Sequence, residues 1–445
     1  MIRLPEISPI TTAVDPEDLC DRLDAAVGRG FLGPGLAHRA GLAVRLTRTL
    51  PQPGLGVYPV AISGEALGRT LGLSRAAVHK HVDHLRTLGF TIESSPGAGY
   101  RLERPFADLV AGEAVLPFLL GVVRPETSWM AGLPYSYLPR CESTNLSLKE
   151  VMAPGRDAGR RAGGMPGSDP GKVVRAGLGA LPAGALMVTD EQTGGRGRLE
   201  RVWSSEPGRD LTFSVLLRPF LTPAQAHLLS LAAALAVAEV LEALPDLDGQ
   251  VAVKWPNDVL LGDEKVCGIL VEGSMDADRL HWAVAGIGLN VNSSPSALVT
   301  ALTPEQADAW AGRPHPVSLR ERLGHEVPRA PLLAALLVRL TSRWTELEDR
   351  IGRGPADGPS LDGRTGTVGP GGAGASRVLA ALRQRDALAG RQVEVLSGSG
   401  RRGLQEVVAS GEAVGIGPEG QLLVRRASGE TIAVFAGDVT LRAVN

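Results

Sequence analysis

The stretch Asp190-Glu191-Gln192-Thr193-Gly194-Gly195-Arg196-Gly197-Arg198-Leu199-Glu200-Arg201-Val202-Trp203 follows an apolar run, Ala185 to Val188, and is answered downstream by Lys254-Trp255-Pro256-Asn257-Asp258. In the first stretch glycines alternate with arginines. Glycine lets a loop approach a ligand closely and opens backbone conformations that other residues avoid. Arginine offers a planar, permanently charged fork suited to carboxylate and phosphate oxygens. Alone, the loop has two readings: a clamp for an acidic, phosphorylated ligand, or a solvated Arg-Gly turn. The second stretch favours the clamp. Val251-Ala252-Val253 has the β-branched character of a short strand, Lys254 stands at its end, and Pro256-Asn257-Asp258 forces a turn. A lysine held at a strand end is a fixed partner for an anion.

Gly-Arg-Gly-Arg followed by Arg-x-Trp, and then Lys-Trp-Pro-Asn-Asp, resembles the biotin protein ligase family. The resemblance covers most of Pro59–Arg104, Tyr135–Glu150, Ala183–Asn292 and Gly390–Arg442. It implies an α+β fold: an N-terminal winged helix-turn-helix, a central class-II-synthetase-like mixed sheet with helices, and a C-terminal SH3-like β-barrel. The expected domains are an extension without assigned role (1–34), the winged helix-turn-helix (35–104), the catalytic domain (125–350, with a low-complexity insertion at 154–181), a linker (351–385) and the barrel (386–445).

The bulk properties are compatible with this. A chain of 445 residues makes two or three domains. Its 46 basic and 48 acidic residues nearly cancel, so a nucleic acid must be met by a local patch. Cys20, Cys141 and Cys267 are odd in number and widely spaced, which argues against a disulfide framework and for a reducing compartment. No basic-then-apolar leader opens the chain. The longest apolar run, Leu228 to Leu244, carries Ser230, Glu239 and Glu242 and reads as a buried helix, not a membrane span. The expected location is the cytoplasm, with no membrane partner.

Between Ser63 and Leu85 the punctuation is that of a helix-turn-helix. Ser63 caps a short helix with Leu67 and Leu71 inward, Gly72 closes it, and Ser74 caps a second helix. Val78, Val82 and Leu85 share one face of that helix. Arg75, His79 and Lys80 fall on another, where DNA can be met. Thr91 to Glu93 and Tyr100 to Leu102 flank Pro96-Gly97-Ala98-Gly99 as a hairpin wing. A winged domain serving only as a dimer or docking module is the alternative, but the resemblance assigns Ser74, Arg75, His79 and Lys80 to operator DNA. His79 and His81 point to different faces, against a metal site.

Tyr135 to Leu138 reads as a strand, and Cys141-Glu142-Ser143-Thr144-Asn145 opens a helix. These side chains either cap that helix or hydrogen-bond a polar headgroup. Gly286-Ile287-Gly288-Leu289-Asn290-Val291-Asn292 is by itself a weak nucleotide signal, because no helix follows it. From Gly390 onward, short strands between turns suggest a small barrel.

The resemblance implies the chemistry. Biotin is activated by ATP, with Mg2+, to biotinyl-5'-AMP and then passed to a lysine of a biotin carboxyl carrier protein. Arg198 and Lys254 carry catalysis. Ser143, Thr144, Asn145, Gln192, Gly195, Arg196, Gly197, Arg198 and Lys254 hold biotin. Arg196, Arg198, Arg201, Trp203, Asn257 and Asn290 hold ATP and the adenylate. Asp258 is either a magnesium ligand or a turn-capping aspartate, and Lys265 either approaches the site or lies on the surface. A homodimer of the adenylate-bound form is implied too. Three alternatives stand beside this: a lipoate or octanoate transferase, a non-catalytic DNA-binding biotin sensor, and a ligase without operator binding. One departure is local. Where the family loop carries a third glycine, this chain has Glu200, which predicts slower loop closure and a shorter-lived adenylate.

Overall fold

Capping chemistry sets the first elements as the sequence leads one to expect. The computed structural model describes residues 16–30, 32–50, 60–122, 132–152, 181–296, 313–348, 373–396 and 406–441. The expected insertions at 154–181 and 352–376 lie almost wholly outside that set, as do the first 15 residues. The chain divides into two units. The first takes in residues up to 138 with 184–188 and 327–338, and the second holds the remainder.

In the first unit, α1 (Pro16–Gly28) and α2 (Pro34–Thr47) precede the helix-turn-helix of α3 (Gly64–Leu71) and α4 (Arg75–Thr87). Ser63 Oγ accepts the Ala66 amide at 3.1 Å and Ser74 Oγ accepts that of Ala77 at 3.2 Å. Gly72 ends α3 in the left-handed region at φ 65°, a conformation open to glycine at little cost. The wing is the antiparallel pair β1 (Ile92–Ser95) and β2 (Gly99–Leu102), with Ile92 opposite Leu102. The part of the extension within the described residues is not a loose appendage. Leu19, Leu23 and Ala26 of α1 are buried. Arg22 donates to the Leu120 and Gly121 carbonyls, at 2.6 and 3.1 Å, near the end of α5 (Gly112–Val122). Such donors satisfy carbonyls that a helix end leaves unpaired.

A seven-stranded sheet has the order β3-β4-β5-β9-β8-β7-β6: β3 (Tyr135–Cys141), β4 (Leu186–Gln192), β5 (Leu211–Leu217), β6 (Val251–Lys254), β7 (Asp258–Leu261), β8 (Glu264–Met275) and β9 (Leu280–Leu289), of which β5 to β9 lie wholly in the second unit. From β5 through β9, β8 and β7 to β6, each neighbour is antiparallel. α6 (Thr144–Met152) packs on β5 and β9. A capped 3-10 turn, Pro223–Gln225, leads into α7 (His227–Glu242), which holds most of the long apolar run and lies on β6, β7 and β8. This segment is long and apolar enough to cross a membrane, yet 67% of it is buried inside the protein, as in a core helix. α8 (Leu319–Leu323) follows. α9 (Arg329–Glu348) brings Arg343 to Glu239 of α7 at 2.5 and 2.8 Å.

After α10 (Ala373–Arg383) come β10 (Gln392–Leu396), β11 (Val407–Ile416), β12 (Leu422–Arg425), β13 (Thr431–Val434) and β14 (Asp438–Leu441). They pair in the order β13-β12-β11-β10-β14. The strands fall where expected, but this sheet is open, ending at β13 and β14 rather than closing as a barrel. It is tied to the central sheet: the Val253 amide donates to the Arg385 carbonyl at 2.7 Å, and Trp255 Nε1 donates to the Gly420 carbonyl at 3.0 Å.

Candidate functional site

The glycine-arginine stretch folds back on itself. Trp203 N donates to the Gly195 carbonyl at 2.9 Å and Gly197 N to the Arg201 carbonyl at 2.7 Å, with a 3-10 turn over Arg198–Glu200 at the tip. Gly195 is required here, because a Cβ would stand 2.3 Å from the Trp203 carbonyl oxygen. The left-handed residue at the tip is Leu199, at φ 56° and ψ 41°. The position that departs from the family pattern, 200, is therefore not the one whose backbone calls for glycine.

One side of this hairpin faces the turn after β6. Lys254 is only 4% exposed, and among the described residues its ammonium has no hydrogen-bond partner. Burial pulls it below the ordinary lysine range, while the nearby Asp258 and Asp438 charges oppose that shift. Asn257 joins the pieces: its Nδ2 donates to the Ile269 carbonyl at 2.8 Å, and its Oδ1 accepts from Arg198 at 3.3 Å. Burial also lowers Arg198, against the pull of Asp438 and Asp258. Asp258 is buried with Lys265 Nζ 2.7 Å away. Burial alone would raise its pKa, but Lys265 and Lys254 hold the carboxyl below its usual range. Lys265 thus belongs to the site, and its Nζ also lies 5.8 Å from the Trp203 ring centroid.

The Trp203 indole rests on a floor without side chains. Gly268 and Gly288 face each other across β8 and β9, and a Cβ on Gly288 would come within 2.3 Å of the indole. Among the described residues its Nε1 is buried without a partner. Gly286 gives Asn145 the same room, since a Cβ there would stand 2.3 Å from Asn145 Oδ1. Two glycines of the Gly-Ile-Gly motif therefore admit side chains, not phosphates.

Ser143, Thr144 and Asn145 are buried at the start of α6. The Thr144 amide donates to Gln192 Oε1 at 2.9 Å. Ser214 Oγ lies 2.7 Å from both Thr144 Oγ1 and Asn145 Oδ1. Asn145 Nδ2 donates to Glu272 at 2.8 Å, and Lys149 pairs with the other Glu272 oxygen at 2.6 Å.

The structure gathers Arg198, Lys254, Asn257, Asp258 and Trp203 on one side, and Thr144, Asn145 and Gln192 on the other. Arg196 stands apart from the lysine, 59% exposed with Glu142 3.7 Å away. Arg201 pairs with Asp438 of β14. Asn290 spends its amide nitrogen on the Val317 carbonyl at 3.1 Å. Sequence reasoning passed over Asp438, although it lies within Gly390–Arg442, one of the segments that the family resemblance covers. It also passed over Ser214 and Glu272, which sit in ordinary-looking strands. In the other unit, Arg75, His79 and Lys80 are exposed and Ser74 serves as a cap. His79 contacts Tyr100 of the wing at 3.3 Å.

A resident magnesium does not fit Asp258. Its carboxylate is already neutralised by Lys265 and Lys254, and the described residues hold no cluster of three or more His, Cys, Asp or Glu able to bind a metal.

Buried Lys254 and Arg198 near the Asn257 turn, a cluster of small polar side chains at the start of α6, and a helix-turn-helix ahead of both make the layout of an acyl-activating ligase joined to a DNA-binding type of domain. The model of the biotin/lipoate A/B protein ligase family matches residues 175–290, and a helix-turn-helix domain model matches residues 59–101. The bifunctional ligase/repressor BirA of Bacillus subtilis is 31% identical over 285 residues, 64% of this chain and 74% of that protein. The biotin--[acetyl-CoA-carboxylase] ligase of Mycobacterium tuberculosis is 32% identical over 269 residues, 60% of this chain and 82% of that protein. A solved biotin protein ligase from Aquifex aeolicus, in complex with biotin and ATP, aligns with a TM-score of 0.45 at 24% identity, over 69% of this chain and 98% of that one. The chain belongs to the biotin/lipoate A/B protein ligase family.

Proposed function

We propose that the protein is a biotin protein ligase that forms biotinyl-5'-AMP and transfers biotin to a lysine of a biotin carboxyl carrier protein. Its winged helix-turn-helix binds operator DNA and represses biotin synthesis genes. The observation that carries the enzymatic half is Lys254: a residue only 4% exposed, without a hydrogen-bonded partner among the described residues, in the field of Asp258 and Asp438 and at the start of the turn whose Asn257 accepts from Arg198. A buried cation in that condition is costly unless an anion completes it.

In the first step a biotin carboxylate oxygen attacks the α-phosphorus of ATP, and the bond to pyrophosphate breaks. Lys254 and Arg198 neutralise oxygens that carry charge through this step. Ser143, Thr144, Asn145 and Gln192 hold the biotin headgroup. Trp203 offers its ring to the adenine, and the Gly195–Trp203 hairpin keeps water from the adenylate. In the second step the neutral amine of the carrier lysine attacks the acyl carbon, AMP leaves with the bonding pair, and one proton passes to solvent. Magnesium arrives with the phosphates of ATP. Dimerisation through the central sheet, an SH3-like role for the C-terminal sheet and a cytoplasmic location complete the reading.

Biotin-dependent exchange of labelled pyrophosphate into ATP tests the first step. The unaltered chain is expected to exchange, and Lys254→Ala to lose roughly 10²–10³-fold or more. Full exchange in Lys254→Ala would remove the lysine from the chemistry.

A further inference from the structure

The headgroup cluster has a direction, and Glu272 sets it. Asn145 Nδ2 faces two groups that can only accept, the Glu272 carboxylate at 2.8 Å and the Leu270 carbonyl at 3.3 Å. The amide nitrogen must therefore lie on that side, whichever way the carboxamide is first drawn. Glu272 stays ionised: burial pushes its pKa up, but hydrogen bonds from Lys149 and Asn145 outweigh it and hold the carboxyl below its ordinary range. Asn145 Oδ1 is then fixed as an acceptor, and the Ser214 hydroxyl, 2.7 Å away, donates to it. Ser214 has one proton, now used. Its second contact, Thr144 Oγ1 at 2.7 Å, needs a proton that only Thr144 can supply. Gln192 Oε1 competes poorly for that proton, at 3.2 Å, and already accepts the Thr144 amide. Every hydroxyl proton in the chain thus points inward, towards Glu272.

We propose that Glu272 is a positioning residue that fixes the hydrogen-bond polarity of the headgroup pocket, leaving Thr144 Oγ1 to accept an N–H from the ligand. The inference rests on the biotin ligase reading and deepens it. Gln192, with its oxygen turned to Thr144, keeps its Nε2 as a donor beside Gly195. An acceptor and a donor side by side match the N–H and C=O of a cyclic urea. A lipoyl or octanoyl tail has no N–H to offer and leaves Thr144 unpaired. Glu272, which need not touch the ligand, thereby selects ureido acids over alkyl acids.

The test is the affinity of the full chain for biotin and for each of the two biotins methylated on one ureido nitrogen. The unaltered chain is expected to reject one isomer by about 100-fold or more, since a site built around an N–H penalises its loss heavily. In Glu272→Gln the relay can run either way, so that ratio falls by about tenfold or more, while the affinity for ATP is unchanged. Ser214→Ala cuts the relay without touching a charge and gives the same collapse, even if Glu272→Gln lowers the melting temperature. A ratio in both variants equal to that of the unaltered chain would overturn the assignment. Failure of the unaltered chain to bind biotin at all would instead overturn the ligase reading, and this inference with it.

Discussion

Lys254 is held in a state that a bound anion would relieve. Burial lowers its pKa in the free protein, whereas a carboxylate or phosphate beside it favours the charged form. Binding should therefore take up a proton in the window between the lowered value and the ordinary lysine range, and affinity should fall as pH rises through that window. The unfolded chain binds more protons than the folded one in the same window, so stability rises with pH there. Calorimetry in two buffers of different ionisation enthalpy would reveal the uptake, and Lys254→Met should abolish it. Identical heats in both buffers for the unaltered chain would contradict this. A second residue-scale expectation concerns Gly288. Alanine there must displace the Trp203 indole, at a cost of about 1–3 kcal/mol in stability. Tryptophan fluorescence should shift to longer wavelength and the KM for ATP should rise. That the Gly-Arg stretch meets the Lys254–Asp258 turn was legible in the sequence, because both carry residue types suited to one anion. The roles of Gly286 and Gly288 were not, since they depend on which residues the β8–β9 register and the packing of α6 bring against them.

At the scale of elements, the helix-turn-helix was legible residue by residue, because caps and a left-handed glycine act locally. Ser74→Ala should cost about 1 kcal/mol in stability by removing the cap of α4. Lys80→Ala should weaken DNA binding and reduce its dependence on salt concentration by about one unit of slope; an unchanged slope would take Lys80 out of phosphate contact. The meeting of the Gly195–Trp203 stretch with the turn after β6 was legible, but its hairpin shape was not. Its left-handed residue is Leu199, so Leu199→Gly should stabilise the protein by roughly 1 kcal/mol, as thermal unfolding would show. Glu200→Gly is expected to prolong the life of the adenylate, and an unchanged dissociation rate would sink that idea. The place of α1 was hidden, because nothing in its own sequence says that Arg22 reaches the end of α5.

At the scale of the whole molecule, residues far apart in sequence share one site. Asp438, near the carboxyl end of the described chain, pairs with Arg201 of the glycine-arginine hairpin and lies close enough to Lys254 to influence its charge. No local pattern announces such a contact, since it depends on how the β10–β14 sheet is tied to β6. Asp438→Ala should free the hairpin and let the adenylate escape faster, with transfer slowed accordingly. The central claim is that Lys254 and Arg198 serve a biotin-activating site. Its most direct test is ATP-dependent transfer of biotin to a carboxyl carrier domain by the full chain, beside Lys254→Ala and Arg198→Ala. Transfer by the unaltered chain, lost in both variants, is the expected result. Biotin binding without transfer by the unaltered chain would contradict the account and make the protein a DNA-binding sensor.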